Sequence, residues 1–386
     1  MYNFRIGTVT DIPIRVNVTL LVFLPVLAWL ISRPAQIAAY AGFIETISPH
    51  AVDMGVLATG NTPILVGVIT AIGLFAGVLL HELGHSWTAR RYGITISSIT
   101  LWIFGGMAHM EDLPEDWNVE FWVAIAGPIT SVLLGIGFYG LLQVVPPDPI
   151  VIFVVGWLAV VNVSLAIFNL LPAFPMDGGR ILRALLARNR PYAAATQTAA
   201  SVGKGMAILM AVFAVFAFAP LLLLIAMFVY IAAGSESKAT VLRDLLRGMT
   251  VRDLMSTDVR TVTPETTVAD LIDRIVTERT TAYPVMDRGT VTGVVTLDAV
   301  RTVAERDRPT TSVTDVMGAT PPTVSPDTDA FEALRALSES KTDRVLVVED
   351  GRFIGQVTTA DFMNAIEVLQ GLGIRRGGIE APDGYA

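Results

Sequence analysis

Residues 79–86 read Leu79-Leu80-His81-Glu82-Leu83-Gly84-His85-Ser86. The stretch contains His-Glu-x-x-His, in which the two histidines are four positions apart. On a helix they share one face and can hold one zinc ion. Glu82 is turned about 100° from His81, near enough to take a proton from a water at the metal. The sequence therefore predicts His81 and His85 as zinc ligands and Glu82 as the general base.

The setting of this motif is unusual for a soluble enzyme, because residues 64–80 carry no charge. Only 16% of the 386 residues are charged, against about 25% in soluble proteins. Residues 1–234 hold 21 charged residues and residues 235–386 hold 41. This asymmetry predicts a membrane domain over 1–234, a linker over 235–247 and a soluble, acidic domain after it. Cysteine is absent, so zinc must be held by histidine and carboxylate.

The apolar runs of the first domain are long enough for about six transmembrane helices. The predicted spans are Ile12 to Ile31, Pro63 to Tyr92, Phe121 to Val145, Ile150 to Leu171, Val202 to Ala219 and Pro220 to Ala233. Residues 32–62 are expected to form a loop, and residues 181–201 an amphipathic connecting helix. No basic tail is present, so nucleic acid is not an expected partner.

Residues 94–110 do not read as a span. Their weak alternation and the Gly105-Gly106 pair predict two short strands, a β-hairpin at the membrane edge. The first strand, around Ser97, could bind an extended substrate peptide along its edge. The alternative left open is that the two strands pair only with each other.

The positive-inside rule predicts the orientation of the domain. With six spans, both termini face the same side, and one side then holds Arg5, Arg15, Arg90, Arg91, Arg180, Arg183, Arg188, Arg190, Lys204, Lys238 and Arg243. The opposite loops offer only Arg33. We therefore expect a multi-pass protein of the cell membrane with cytoplasmic termini.

A catalytic zinc usually has three protein ligands and one open position. The candidates for the third ligand are His50, His109, Glu111 and Asp177. His50 falls on the wrong side of the membrane. Asp177 follows a span, with a proline before it and two glycines after it, so the backbone is free to turn its carboxylate inward. The alternative is that Asp177 only caps the helix that begins near Gly178.

At these residues the chain resembles the site-2 protease family of intramembrane zinc metalloproteases. The matching features are His81-Glu82-Leu83-Gly84-His85, Phe104-Gly105-Gly106, Ala126-Gly127-Pro128, Asn169-Leu170-Leu171-Pro172 and Pro175-Met176-Asp177-Gly178-Gly179. The resemblance implies zinc on His81, His85 and Asp177, with Glu82 as general base. It also implies hydrolysis of a peptide bond within or beside the transmembrane helix of a protein substrate.

Two further roles are implied by the resemblance. Asn162 or Asn169 would hold the substrate or polarise its carbonyl group. One position departs from the family, which often has asparagine three residues after the proline of Ala126-Gly127-Pro128, where this chain has Ser131. We expect that departure to leave the zinc chemistry untouched.

The second domain contains an internal repeat with a constant offset. Val251-Arg252-Asp253-Leu254-Met255 matches Val313-Thr314-Asp315-Val316-Met317, and Gly293-Val294-Val295-Thr296 matches Gly355-Gln356-Val357-Thr358 at the same separation. Each repeat reads as strand, helix, strand, strand and helix. The pattern resembles a tandem pair of CBS motifs, an α/β regulatory module over 248–365 with repeats at about 251–301 and 313–362. Residues 366–386 are expected to form a flexible tail.

CBS pairs often bind adenine nucleotides, and Thr358 and Asp361 carry a hydroxyl and a carboxylate spaced to reach a ribose. The first repeat has Asp298 one position early, which puts an equivalent second site in doubt. The resemblance thus suggests AMP or ATP as a ligand and homodimerisation through the CBS modules. The alternative is a module that only dimerises.

Two functions are compatible with these features. The first is an intramembrane zinc metalloprotease regulated by its CBS pair. The second is a CBS-regulated transporter in which the histidines and the aspartate bind a transported metal. Transport needs a continuous polar path, yet the first, fifth and sixth predicted spans are almost wholly apolar, and Glu82 has no role in it. The sequence therefore favours the protease.

Overall fold

The computed structural model describes residues 3–103, 105–110, 115–318, 320–340 and 342–371. The chain divides into two units, Met1–Lys238 and Ala239–Ala386. The elements of the first unit are, in order, β1 (Asn3–Val9), β2 (Ile12–Asn17), α1 (Val18–Ile31), α2 (Pro34–Ile47), α3 (Met54–Leu57), α4 (Thr62–Arg91), β3 (Ile96–Trp102), β4 (Gly105–Met110), α5 (Trp117–Leu142), α6 (Pro149–Asn169), α7 (Asp177–Ala187), α8 (Tyr192–Phe216) and α9 (Pro220–Leu245).

Within the described ranges, five helices are long and apolar enough to cross a membrane, namely α4, α5, α6, α8 and α9. Helices α1 and α2 together also meet this criterion, but they are bent by 71° at the break between them. If the bent pair is one span, the total is six. The structure therefore agrees with the expectation of about six transmembrane helices.

The zinc motif lies in the last third of α4. A proline in the first turn starts this helix, at a position where a missing N–H group costs nothing. Arg90 and Arg91 lie in its last turn, where positive charge interacts favourably with the helix dipole. The hydrophobic pattern, the proline and the arginines together predicted this helix nearly to the residue.

The prediction of a first span from Ile12 to Ile31 is wrong in its first third. Residues 12–17 form β2, in which Ile12, Ile14 and Val16 are buried and alternate with half-buried or exposed neighbours. This period of two is the signature of a strand. The helix begins only after Asn17, whose side chain caps it by accepting a 3.0 Å hydrogen bond from the backbone of Thr19.

The loop predicted over residues 32–62 is also wrong, because α2 and α3 lie there. Ile37, Ala41 and Ile44 are buried in α2, at the spacing of one helix face. The prolines and glycines of this segment suggest a loop, but Pro34 occupies the first turn of α2, where proline is compatible with a helix.

The predicted hairpin of β3 and β4 exists, but it is half of a larger sheet. Four strands pair in the order β1-β2-β3-β4. Strand β2 runs parallel to β3, with Ile14 opposite Ile99, and the other two pairs are antiparallel. Strand β3 is thus an interior strand, so the prediction that the strand around Ser97 offers a free edge is wrong. The sheet packs on α4, where Leu83 joins Ile14 and Ile99 in one apolar core.

The last helices of the first unit are longer than predicted. The expected connecting helix over 181–201 is divided between α7, which ends at Ala187, and α8, which already begins at Tyr192. Helix α9 continues to Leu245 and so includes most of the predicted linker 235–247. Both extensions are rich in alanine, leucine, lysine, arginine or glutamate, which favour helix in the absence of a glycine or proline break.

The second unit contains two repeats of the same αβ arrangement. Its elements are α10 (Val251–Leu254), α11 (Val268–Glu278), β5 (Ala282–Asp287), β6 (Thr290–Thr296), α12 (Leu297–Arg301), α13 (Val313–Val316), β7 (Thr323–Val324), α14 (Ala330–Glu339), β8 (Arg344–Glu349), β9 (Arg352–Thr358) and α15 (Thr359–Gly371). Strands β8 and β9 begin at Arg344 and Arg352, the positions that the sequence offset assigns to Ala282 and Thr290, where β5 and β6 begin. The offset read from the sequence is therefore the offset of the structural repeat.

Each repeat has its own apolar core. Val268, Tyr283 and Val295 belong to the core of the first repeat, and Ala330 and Val345 to that of the second. The flexible tail was predicted to start at residue 366, but α15 extends to Gly371. The first six residues of that segment are helical, and residues 372–386 lie outside the described residues.

Candidate metal centre

The two histidines of the motif lie side by side on the buried face of α4. His81 is 4% exposed and His85 is 6% exposed, and their ring centroids are 4.8 Å apart. The two Nε2 atoms are separated by 3.2 Å. The i, i+4 spacing thus places both potential ligand atoms at one point, as predicted.

Asp177 reaches this point from the first turn of α7. Its Oδ2 atom lies 3.1 Å from Nε2 of His81 and 3.2 Å from Nε2 of His85. Gly178 and Gly179 allow the approach, because a Cβ on Gly178 would overlap the carbonyl oxygen of Leu170. A Cβ on Gly179 would lie 2.7 Å from the backbone of Ala173. Only glycine lets α7 start so close to the preceding turn.

Helix α5 orients both histidines from the opposite side. Nδ1 of His81 lies 2.9 Å from Oγ of Ser131, and Nδ1 of His85 lies 2.7 Å from the carbonyl oxygen of Val123. A carbonyl oxygen only accepts hydrogen bonds, so Nδ1 of His85 carries a proton. In the neutral ring, Nε2 then keeps a free lone pair for a metal. A Cβ on Gly127 would overlap Nε2 of His85 and lie 2.7 Å from Nε2 of His81.

These distances fit a zinc ion. In a tetrahedral site with zinc–ligand distances of about 2.0–2.2 Å, neighbouring ligand atoms are roughly 3.3–3.6 Å apart. The three separations among His81, His85 and Asp177 are 3.1–3.2 Å. Lone pairs that face one another at this range, in a buried site, repel unless a cation lies among them. The donor set of two imidazoles and a carboxylate is also one that catalytic zinc uses.

Glu82 lies outside this triad but next to it on α4. Its side chain is partly buried and packs against β4, where a Cβ on Gly106 would lie 2.8 Å from Cδ and 3.0 Å from Oε1 of Glu82. The absence of a side chain at Gly106 therefore leaves room for the carboxylate of the proposed base.

The other candidates for the third ligand are not at this site. His109 is exposed on β4, and His50 follows α2 at a half-buried position. Glu111 lies outside the described residues. Within the part of the chain that the structure describes, His81, His85 and Asp177 are the group of ligand atoms close enough to share a metal.

The residues suggested for substrate binding have local partners. Nδ2 of Asn162 donates to the carbonyl oxygen of Leu158 on its own helix, and its Oδ1 faces Gly77 of α4 with no hydrogen-bond partner among the described residues. Asn169 likewise donates to its own helix. Ser97 donates through Oγ to the carbonyl oxygen of His109 on β4.

Thr358 and Asp361 form a reciprocal cap at the start of α15. The backbone N–H of Thr358 donates to Oδ2 of Asp361 at 2.8 Å, and its hydroxyl donates to the same atom at 2.7 Å. In the first repeat, Ala299 stands at the position equivalent to Asp361, and Thr296 caps α12 alone. The carboxylate is therefore present in the second repeat and absent from the equivalent position of the first.

Sequence reasoning missed the contact made by Ser131, which was expected to leave the metal site untouched. The Ala126-Gly127-Pro128 motif did predict close approach of another element, and Gly127 does face the histidines. A serine one helical turn after that motif was the available signal.

Comparison with known proteins decides the family. Residues 69–148 and 147–212 match peptidase family M50, and residues 251–305 and 313–368 match the CBS domain. The chain is 31% identical to the zinc metalloprotease MJ0392 of Methanocaldococcus jannaschii over 369 residues, which cover 96% of this chain and 97% of the relative. The chain belongs to peptidase family M50.

A second relative agrees with this assignment. Rip3 of Mycobacterium tuberculosis, named a putative zinc metalloprotease, is 37% identical over 324 residues, which cover 79% of this chain and 82% of that protein. Among solved structures, the site-2 protease from Methanocaldococcus jannaschii is 33% identical, covers 61% of this chain and 95% of its own, and gives a TM-score of 0.41.

Membership of family M50 decides between the two functions that the sequence left open. The protein is a multi-pass, site-2 protease-like zinc metalloprotease with a C-terminal CBS pair, as predicted. The predicted fold class, an α-helical membrane domain followed by an α/β CBS pair, is confirmed.

Proposed function

We propose that this M50 peptidase hydrolyses a peptide bond within or beside the transmembrane helix of a protein substrate, with zinc held by His81, His85 and Asp177. One observation carries the proposal. Ligand atoms from α4 and α7, distant in sequence, converge within 3.2 Å on α4, a helix long and apolar enough to cross a membrane. Ionisable residues inside membrane domains are rare and mark functional sites.

The roles of the side chains follow from their positions. Bound there, zinc would supply a Lewis acid that polarises the substrate carbonyl and lowers the pKa of water. A zinc ion held by these three residues would keep a fourth position for water or the substrate carbonyl. Glu82 accepts a proton from the attacking water and returns it to the nitrogen of the leaving amine. The hydroxide equivalent adds to the carbonyl carbon, and the C–N bond breaks.

The substrate must be extended before it can be cut, because a helix hides its carbonyl groups in intrachain hydrogen bonds. Strand β4 is an edge strand, and its Gly106 lies against Glu82. We place the substrate backbone along this edge, where an added strand gains main-chain hydrogen bonds beside the general base. Asn162 and Asn169 stay secondary candidates for substrate contact, whereas Ser97 lies on the interior strand β3 and is not proposed for this role.

The decisive experiment is cleavage of a single-span model substrate in detergent by the wild type and by Glu82→Gln, with zinc measured in both. We expect the wild type to cut and the variant to retain zinc but lose activity by about 100-fold or more. Asp177→Asn should lose both zinc and activity. A Glu82→Gln variant that cuts at the wild-type rate would rule out Glu82 as the base.

The CBS pair is proposed as the regulatory unit, with AMP or ATP as ligand in the second repeat. The support is Asp361, whose carboxylate accepts hydrogen bonds from Thr358. The equivalent position of the first repeat carries no carboxylate. Asp361→Ala should abolish binding of labelled nucleotide by the full chain. Asp298→Ala removes an exposed carboxylate of the first repeat and should leave binding intact. Equal binding by both variants, or equal cleavage with and without nucleotide, would contradict this role.

The termini and the CBS pair are proposed to lie in the cytoplasm, on the side to which the arginine-rich segments face. The cysteine-free chain allows a direct test with single-cysteine variants. Arg306→Cys on the CBS pair should be protected from an impermeant thiol reagent in intact cells. Val144→Cys, which is 76% exposed between α5 and α6, should be labelled.

Homodimerisation through the CBS modules is also proposed. Val276, Met363 and Val368 are apolar side chains that are 57–73% exposed on α11 and α15. Their burial by a second copy would remove this surface from water. Mass measurement of the detergent-solubilised chain should then give a dimer, and Met363→Glu should give a monomer.

A further inference from the structure

A buried ionic cluster lies in the membrane unit, outside the metal centre. Arg183 on α7 is 6% exposed. Its Nε donates to Oε1 of Glu120 on α5 at 2.7 Å, and its Nη1 donates to Oε1 of Glu236 on α9 at 2.6 Å. Its guanidinium carbon lies 5.0 Å from the ring of Phe174 and 4.9 Å from that of Tyr192. The Arg183 side chain thus contacts the turn that precedes α7 through Phe174. It also contacts one residue on each of the helices α5, α8 and α9.

Stability alone does not account for this cluster. Removing a charge from water costs several kcal/mol per ion, and a buried ion pair is often no more stabilising than apolar side chains of the same volume. Glu120 is 2% exposed, and its Oε2 atom has no hydrogen-bond partner among the described residues. The ion pair does fix the relative position of the two side chains, because the planar guanidinium sets both the distance and the direction of its partners.

The geometry that it fixes is that of α7, the helix that carries Asp177. Arg183 follows Asp177 by six residues on this helix of eleven, about 9 Å along the axis. Glu120 lies on α5, the helix that also carries Ser131 beside His81. The bond between Arg183 and Glu120 therefore ties the helix of the third ligand to the helix that orients the first.

We propose that Arg183 is a positioning residue for the metal centre, and that Glu236 makes this position responsive to α9. Glu236 lies two residues before the boundary of the membrane unit at Lys238, and α9 continues past that boundary to Leu245. A shift of α9 at Glu236 is passed through Arg183 to α7 and so to Asp177. The proposal rests on Asp177 being a zinc ligand, as proposed above.

The test measures metal binding and needs no substrate. Zinc affinity is determined by chelator competition on the full chain for the wild type, Arg183→Lys and Glu236→Gln, and the absorption spectrum is recorded with cobalt in place of zinc. We expect Arg183→Lys to weaken zinc binding about tenfold and to alter the cobalt spectrum at saturation. We expect Glu236→Gln, which removes a half-exposed partner, to weaken binding about two- to fivefold.

A matched control removes a different charge from the same helix. Lys238→Gln, two residues from Glu236 at an exposed position, should leave zinc affinity and the cobalt spectrum unchanged. An equal loss in Lys238→Gln and Glu236→Gln would overturn the proposal, because the effect would then follow from any substitution in this part of α9 and not from the ion pair between Glu236 and Arg183. If Arg183→Lys does not fold, Glu236→Gln decides alone, since its side chain is 41% exposed.

Asp177→Asn separates this proposal from the ligand assignment beneath it. If Asp177→Asn loses zinc while Arg183→Lys and Glu236→Gln bind as the wild type does, the positioning role is overturned and the ligand assignment stands. If Asp177→Asn also binds zinc normally, Asp177 is not a ligand and both are overturned.

Discussion

Oγ of Ser131 lies 2.9 Å from Nδ1 of His81, so a side chain of α5 orients the proposed zinc ligand of α4. With Nε2 as the proposed zinc-binding atom, Nδ1 carries the proton and donates a hydrogen bond to Oγ of the serine. Partners of this kind fix the ring and typically contribute 10–100-fold to metal affinity. We predict that Ser131→Ala weakens zinc binding at least about tenfold, measured by chelator competition.

Two further variants serve as controls for that prediction. Ser131→Asn keeps a hydrogen-bond acceptor and places there the residue that the family often has, so it should retain most of the affinity. Ser164→Ala removes an exposed hydroxyl that donates only to its own helix and should change nothing. Wild-type affinity in Ser131→Ala would show that the serine does not orient the histidine.

Gly127 is the second position of α5 on which the metal centre depends. A Cβ there would overlap Nε2 of His85 and lie 2.7 Å from Nε2 of His81, the two nitrogen atoms proposed to bind the ion. We predict that Gly127→Ala folds but contains well below one zinc per chain by elemental analysis. Gly137→Ala, on the same helix with open space around the new Cβ, is the control. Full zinc occupancy in Gly127→Ala would show that the histidines bind metal in another arrangement.

The parts of this site that sequence predicted are those that depend on local spacing. His81, Glu82 and His85 lie within one helical turn and a half, so their arrangement follows from the helix alone. Asp177 lies far beyond His85 in the sequence, and only the helix-breaking residues around it pointed to its role. The position of Ser131 after Ala126-Gly127-Pro128 did not identify its partner, because that partner is decided by the packing of α5 on α4.

The same distinction explains the errors in the fold. A hydropathy window sums residues 12–31 as one apolar run and does not distinguish the strand period of β2 from the helix period of α1. The pairing of β2 with β3 joins residues that are distant in the sequence, such as Ile14 and Ile99, and no local pattern reveals it. The CBS repeats were predicted well because each closes an apolar core that consists mainly of its own residues.

Glu278 makes the stability of the first CBS repeat dependent on pH. Burial opposes its ionisation, but hydrogen bonds from Arg274 and Tyr283 outweigh this effect and hold the pKa of Glu278 below its ordinary value of 4.5. A carboxyl with a lowered pKa in the folded state contributes stability above its unfolded pKa and loses it as pH falls through the folded pKa. We therefore predict that Glu278→Gln lowers the thermal unfolding midpoint of the CBS unit at pH 7.

The sign of the pH effect gives a sharper test. The difference in midpoint between the wild type and Glu278→Gln should be constant above about pH 5 and should shrink below pH 4.5. Glu265→Gln, at an exposed position of the same repeat, should unfold at the same midpoint as the wild type in both pH ranges. A gap between the wild type and Glu278→Gln that widens on acidification would contradict the lowered pKa.

The last prediction concerns Gly106 and distinguishes a displaced general base from a lost metal ion. A Cβ there would lie 2.8 Å from Cδ of Glu82, so Gly106→Ala must displace the carboxylate or β4 itself. A misplacement of about 1 Å in a catalytic group costs roughly 100-fold in rate, while the proposed zinc ligands on α4 and α7 are untouched. We predict normal zinc content and about 100-fold slower cleavage. Gly7→Ala, on the other edge strand with open space around its Cβ, should cut normally. Loss of zinc in Gly106→Ala would mean that β4 supports the metal centre itself, and normal cleavage would mean that Glu82 acts from a different rotamer.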